Sequence, residues 1–186
     1  MHTGSHRVRI IAGQWRHRWL SVAAHVRPTP NRVRETLFNW LQHEIVGARC
    51  LDAYGGTGAL AFEALSRGAA HCVLCEIHPQ ALRCIQSAKK TLQADALTIC
   101  QQSFETQAWA NRAPFDVIFL DPPFAENVLT DNMQFIETHR LITQGGVIYC
   151  SWHDFAPQVS ARWSLMRSIQ TQQVHGGLFR YQAVDL

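Results

Sequence analysis

The stretch Phe115-Asp116-Val117-Ile118-Phe119-Leu120-Asp121-Pro122-Pro123-Phe124 is a short apolar, partly β-branched run that stops at an acidic residue, two prolines and an aromatic ring. Residues 117–120 have the composition of a parallel strand covered on both faces, and neither Pro122 nor Pro123 can donate to a sheet ladder. The strand therefore ends at Asp121. Ligands in open α/β sheets gather at the carboxyl ends of the strands, so Asp121 and the stiff loop after it form a candidate reaction site.

Upstream and downstream, strand and helix patterns alternate. Residues 50–53, 72–75, 97–100, 115–120 and 147–151 read as strands. Between them, helices are expected from the glycine-rich turn to Arg67, from His78-Pro79 through Leu82, Ile85, Ala88 and Leu92, over a short segment at 104–109, and over 133–140. Gly145-Gly146 reads as a turn, and residues 163–169 and 178–184 as an antiparallel pair joined through Gly176-Gly177. Such alternation implies a mainly parallel sheet with helices on both faces, because parallel strands need crossover connections.

The ends of the chain differ in charge. With 186 residues, 47% of them hydrophobic and 17% charged, the chain has the composition of an ordinary globular protein with one main core. No apolar run approaches the roughly 20 residues of a membrane span, and the N-terminus lacks an apolar signal core. A cytoplasmic, soluble monomer is expected. Six cysteines in such a chain are expected to be free. Cys72 and Cys75, although flanked by His71 and His78, would point to opposite faces of a strand, so no metal site is expected.

The net charge of +3 conceals a basic N-terminus: Arg7, Arg9, Arg16, Arg18, Arg27, Arg32 and Arg34 face Glu35 alone within the first 40 residues. Guanidinium groups suit bidentate contact with phosphate oxygens, which points to nucleic acid. Residues 8–12 and 18–22 read as a hairpin around Gly13 that carries Trp15 and Trp19, either for stacking on unpaired bases or for packing onto the main core. Thr29 is placed to cap a helix with Pro30 in its first turn, running to about 43 with Val33, Leu37, Phe38 and Leu41 inward. Residues 1–6 are polar and expected to be disordered.

In Asp52-Ala53-Tyr54-Gly55-Gly56-Thr57-Gly58-Ala59-Leu60, the glycines let backbone approach a ligand and the helix that follows supplies free amides. Glu76, 18 residues beyond Gly58, is placed for ribose hydroxyls. These two features fit either a nicotinamide cofactor or S-adenosylmethionine, with Asp52 as an acceptor for the latter's ammonium. Asp121-Pro122-Pro123-Phe124 separates the two, having no role in hydride transfer. An exocyclic amine conjugated with a base is a poor nucleophile, so acceptors are needed for its N–H groups. Asp121 and the Pro122 carbonyl can supply them, and Phe124 can stack on the base. The base must be unpaired or extruded.

Four stretches in order resemble the RsmD family: 9–16 (Arg-Ile-Ile-Ala-Gly-Gln-Trp-Arg), Arg27-Pro28-Thr29 with 32–41, 51–60, and Asp121-Pro122-Pro123-Phe124. The resemblance runs from about residue 7 to the C-terminus. It implies a class I methyltransferase fold, with a Rossmann-like, seven-stranded, mainly parallel sheet and a small basic hairpin extension. It also implies S-adenosylmethionine as donor and guanine-N2 of 16S ribosomal RNA as acceptor, within a small-subunit particle. By the same resemblance Asp52, Gly55, Gly56 and Gly58 line the methionine end of the cofactor. Glu76 and Ile77 take its ribose side, Gln102 and Ser103 its adenine, and Asp121, Pro122, Pro123 and Phe124 the target amine. Gln102-Ser103 replaces the Asp or Asn common at the adenine position, and Tyr54-Gly55-Gly56-Thr57-Gly58 replaces the usual Phe-Ala-Gly-Ser-Gly. Residues 1–44 would then be the RNA-binding extension and 45–186 the methyltransferase domain. The other readings are adenine-N6 methylation of DNA or RNA and a non-catalytic RNA-binding protein that has kept the fold.

Overall fold

The alternating pattern folds into a seven-stranded sheet whose central strands are buried on both faces. A computed structural model describes residues 7–109, 114–123, 128–172 and 174–182. The first two strands, β1 (Arg7–Arg9) and β2 (Trp19–Ser21), make a separate antiparallel hairpin. The large sheet is built from β3 (Arg49–Asp52), β4 (His71–Cys75), β5 (Leu97–Cys100), β6 (Phe115–Leu120), β7 (Ile142–Trp152), β8 (Trp163–Gln170) and β9 (His175–Tyr181). Their order is β5-β4-β3-β6-β7-β9-β8, parallel from β5 to β7 and antiparallel at β9 and β8.

Side chains alternate along each central strand and divide the core into two layers. Val117 and Phe119 of β6 join Cys50, Cys72 and Leu74 on one side; Ile118 and Leu120 join Leu51, Val73 and Cys75 on the other. Cys72 and Cys75 thus lie in different layers, as strand alternation predicts. The first layer is covered by α1 (Asn31–Trp40), α2 (Ala59–Ser66) and α3 (Pro79–Leu92), and the second by α4 (Leu129–Thr138) with a single 3-10 turn at Phe104–Thr106. Burying apolar surface at about 25 cal/mol per Å² makes these two layers the main source of stability. Among the described residues no helix is long and apolar enough to cross a membrane.

Several local expectations are corrected. Gly145-Gly146 is no turn: both residues lie inside β7, where the pairing register with β6 shifts between Phe115 and Val117 and Gly145 takes a φ of 76°. Gly176-Gly177 likewise lies within β9, where a Cβ on Gly176 would come 2.9 Å from the Tyr149 hydroxyl. The α4 helix begins at Leu129, four residues before the expected start; Leu129 is buried on the same face as Met133 and Ile136, and no side chain caps the first turn to mark the start in the sequence. A 3-10 turn replaces the helix suggested up to Trp109, whose indole N–H donates to the Phe104 carbonyl at 2.8 Å. The expected disorder of residues 1–6 lies outside the described residues, as do positions 183 and 184 of the last expected strand; β9 ends at Tyr181.

The basic hairpin is fastened to the C-terminal half of α2. Glu63, fully buried, accepts from the backbone N–H of Ile11 at 2.8 Å and of Ala12 at 3.0 Å, and from Arg67 Nε at 2.7 Å. Ser66 accepts from the Trp15 N–H and donates to the Ala12 carbonyl, while the Gln14 N–H bonds the Ser66 carbonyl. Gly13 sits against this helix so closely that a Cβ would fall 1.7 Å from the Ser66 carbonyl oxygen, at a φ of 80°. The two tryptophans separate: Trp15 packs edge-on against Phe62, whereas Trp19 is 57% exposed with the Arg9 guanidinium 5.8 Å from its ring centroid.

Arg34 is the exception among the arginines. It is fully buried, donates to the Arg9 carbonyl at 2.9 Å and to Asn31 Oδ1 at 2.6 Å, and lies 3.9 Å from Glu63. Burial pushes its pKa down and Glu63 pushes it back up. Its charge is used inside the protein, so it leaves the set of arginines available for phosphate; Arg7, Arg9, Arg16, Arg18, Arg27 and Arg32 stay exposed.

Candidate active site

The sheet order reverses at β3, with β4 and β5 to one side and β6 and β7 to the other, which is the place where open α/β sheets leave a crevice. A cavity of about 400 Å³ opens there. The carboxyl ends of three strands meet in it, bringing Asp52 from β3, Glu76 after β4 and Asp121 after β6 to one wall. Gly55, Gly56, Ile77, Gln102, Ser103, Pro122 and Pro123 also line it. Phe124 lies outside the described residues.

The glycine turn is shaped by close approach. Gly55 donates to the Cys75 carbonyl at 2.8 Å, and a Cβ there would meet Leu74 at 2.4 Å. Gly58 is not a lining residue. It takes a left-handed φ of 74° at the N-cap of α2, where a Cβ would press on Phe62 at 2.9 Å, so its part is to set the turn. The Gly56 N–H donates to Glu76 Oε2 at 2.7 Å, tying the turn to the end of β4. Glu76 Oε1 accepts from the N–H groups of Ile77 and His78, each at 2.8 Å, so this carboxylate is held in one orientation by three amides.

Asp52 is almost fully buried. Its Oδ2 accepts from the Ala61 N–H at 3.3 Å, in the first turn of α2, while Oδ1 has no partner among the described residues. Burial, with Asp121 and Glu76 adding to it, pushes its pKa well above the ordinary carboxylate range. A buried acceptor without a donor costs free energy, and three carboxylates around one cavity suit a ligand that carries positive charge.

Asp121 is held by two hydroxyls that the sequence does not single out for this purpose. Thr29 Oγ1 donates to Oδ2 at 2.5 Å, and Ser151 Oγ donates to Oδ1. Thr29 therefore does not cap α1; Pro30 occupies the N-cap position and no side chain caps that helix. Ser151 had one visible signal: it is a polar residue directly after the apolar residues 147–150, at the carboxyl end of a strand, as Asp52 and Asp121 are. The segment from His25 to Pro30 forms a further wall of the cavity, a placement without a signal in its local pattern. Arg27 is the member of the basic set that lines the cavity.

The family model described as "Conserved hypothetical protein 95" matches residues 8–180. The chain is 37% identical over 186 residues, 98% of this chain and 94% of the relative, to ribosomal RNA small subunit methyltransferase D of Escherichia coli (strain K12). The chain belongs to the RsmD family. A second relative of that name, from Haemophilus influenzae, is 35% identical over 93% of each chain. The solved structure of yhhF from Escherichia coli superposes on this RsmD-family chain with a TM-score of 0.87, at 37% identity, over 96% of this chain and all of that one. An RNA methyltransferase from Salinibacter ruber, solved with S-adenosyl-L-homocysteine, shares the fold at 16% identity with a TM-score of 0.62 over 86% of this chain and 97% of that one. The fold is that of a class I methyltransferase.

Proposed function

We propose that the chain transfers a methyl group from S-adenosylmethionine to the exocyclic N2 amine of a guanine in small-subunit (16S) ribosomal RNA. The observation that carries this reading is the convergence of Asp52, Glu76 and Asp121 on one cavity at the reversal point of the sheet. Family membership and the printed names of the two bacterial relatives support the ribosomal substrate.

The residues present fit the donor, which supplies a methyl group activated by a sulfonium. The free Oδ1 of Asp52 is an acceptor for the ammonium of the methionine end, and Gly55 and Gly56 let that end lie against the backbone. Glu76, fixed by its three amide bonds, keeps unused lone pairs for the ribose hydroxyls. Ile77 gives an apolar surface beside it, and Gln102 and Ser103 provide polar groups for the adenine amino group. Asp121 and the Pro122 carbonyl accept from the two N–H groups of the target amine, which turns its lone pair towards the methyl. Catalysis is then positioning and fixed electrostatics, with little covalent work by the protein.

The direct test is incubation of labelled S-adenosylmethionine with small-subunit particles that lack the modification, followed by nucleoside analysis. The expected result is label in N2-methylguanosine. Label in N6-methyladenosine, or none, would overturn the proposal.

Residues 1–44 serve as the RNA-binding extension. On the hairpin, Arg9 and Trp19 are cross-strand partners on the exposed face that also carries Arg7, which places guanidinium groups beside an aromatic ring. Neutral replacement of Arg7, Arg9, Arg16 and Arg18 is expected to weaken RNA binding and to flatten the slope of log K against log salt by about 0.7 to 0.9 for each lost phosphate contact. Titrations at several salt concentrations check this. An unchanged slope would remove the hairpin from RNA binding.

A further inference from the structure

We propose that Thr29 and Ser151 are positioning residues for Asp121, each fixing one carboxylate oxygen so that the remaining lone pairs face the target amine. This rests on the amine-methylation reading above and extends it to two residues outside the acidic tetrapeptide.

The need for them follows from the sequence after Asp121. An aspartate at a loop start is ordinarily held by backbone N–H groups one or two residues on, as in an Asx-turn. Pro122 and Pro123 have no N–H to give. The two prolines that end the strand also deprive its carboxylate of local donors, so the donors must come from elsewhere in the chain. Thr29 comes from 92 residues away, in the N-terminal wall of the cavity, and Ser151 from 30 residues away, on β7 beside β6. Ser151 is 1% exposed, so its hydroxyl is committed to the protein interior. An ionised carboxylate offers about four acceptor directions, and two hydroxyl bonds leave about two for substrate.

The electrostatics agree with a carboxylate that must be kept charged. Burial pushes the Asp121 pKa up, and the bonds from Ser151 and Thr29 pull it down. Other ionisable groups that line the cavity with it are Asp52 at the end of β3, Cys75 and Glu76 at the end of β4, His78 before α3, and His25 and Arg27 on the Thr29 segment; behind it lies the buried Tyr149 phenol of β7, whose own ionisation Asp121 pushes to higher pH. Removing either hydroxyl therefore raises the Asp121 pKa. The acceptor form is then lost at a higher pH than in the wild type.

The test uses the full chain, labelled S-adenosylmethionine and small-subunit particles that lack the modification. Wild-type turnover comes first, because its absence would remove the proposed function itself. Given that turnover, Thr29→Val and Ser151→Ala are each expected to lower kcat by about 10- to 100-fold, the scale of a misplaced reacting group. Affinity for S-adenosylmethionine, read by calorimetry, should stay within about twofold, since neither hydroxyl contacts the glycine turn or Glu76 by the bonds above. The acidic limb of the kcat profile should move to higher pH, so that the deficit narrows as pH rises. Thr29→Ser restores the hydroxyl and should recover most of the rate. A deficit equal at every pH, a serine variant as poor as the valine one, or an unchanged kcat would overturn the assignment. Ser151→Ala, on a separate element, carries the same test if the valine variant does not fold.

Discussion

Asp121→Ala is expected to lower turnover by about 10³-fold while S-adenosylmethionine binds as well as before, or better. The large loss follows because the substitution removes the acceptor that orients the amine; deleting one preorganised polar group of this kind costs about 10²- to 10³-fold, and lost orientation adds to it. The preserved binding has its own cause. Asp121 is one of the groups that push the Asp52 pKa up, so its removal lets Asp52 ionise more readily and strengthens the acceptor proposed for the cofactor's ammonium. Single-turnover kinetics and calorimetry on the same preparation check both halves. Equal loss of turnover and cofactor affinity would mean that Asp121 belongs to the cofactor site. Asp121→Asn, which keeps one carbonyl acceptor, should fall between the two.

Glu63→Ala is expected to destabilise the protein by about 3 to 5 kcal/mol, the usual cost of leaving a buried charge without its partner. Here the charge is that of Arg34, fully buried beside Glu63, and the same substitution removes the acceptor for the Ile11 and Ala12 amides and for Arg67. For a chain of this length that corresponds to a fall in Tm of roughly 10 °C. The hairpin should loosen first, with amide exchange rising at Ile11 and Ala12 before the sheet is affected. Glu63→Gln keeps one acceptor and should recover part of the loss. A Glu63→Ala melting temperature within about 2 °C of the wild type would remove Glu63 as the fastening point.

The sheet was legible wherever composition alone decides structure. β6 begins and ends where its apolar run meets proline and an acidic residue, β5 ends where its run meets Gln101, and the carboxylates at the ends of β3, β4 and β6 could be picked out from their places at the ends of apolar runs. What the sequence concealed depends on distant partners. Arg34 reads as one more surface cation until Glu63 is found beside it. Thr29 has the local signature of a helix cap, but its hydroxyl is taken by Asp121. The glycine pairs at 145–146 and 176–177 read as turns because glycine usually breaks strands. At Gly176 the missing side chain instead leaves room for Tyr149 on the adjacent strand, and only the paired strands reveal that use.

Helix α2 joins two tasks on one rigid piece. Its first turn donates to Asp52 through the Ala61 N–H, and its last turn receives the basic hairpin through Glu63 and Ser66. Eight residues at 1.5 Å each make it about 12 Å long. It therefore works as a ruler, setting a fixed interval between the point where RNA would be gripped and the point where the methyl group would be delivered. Lengthening it by one residue would turn its far end by about 100° and carry the grip off line.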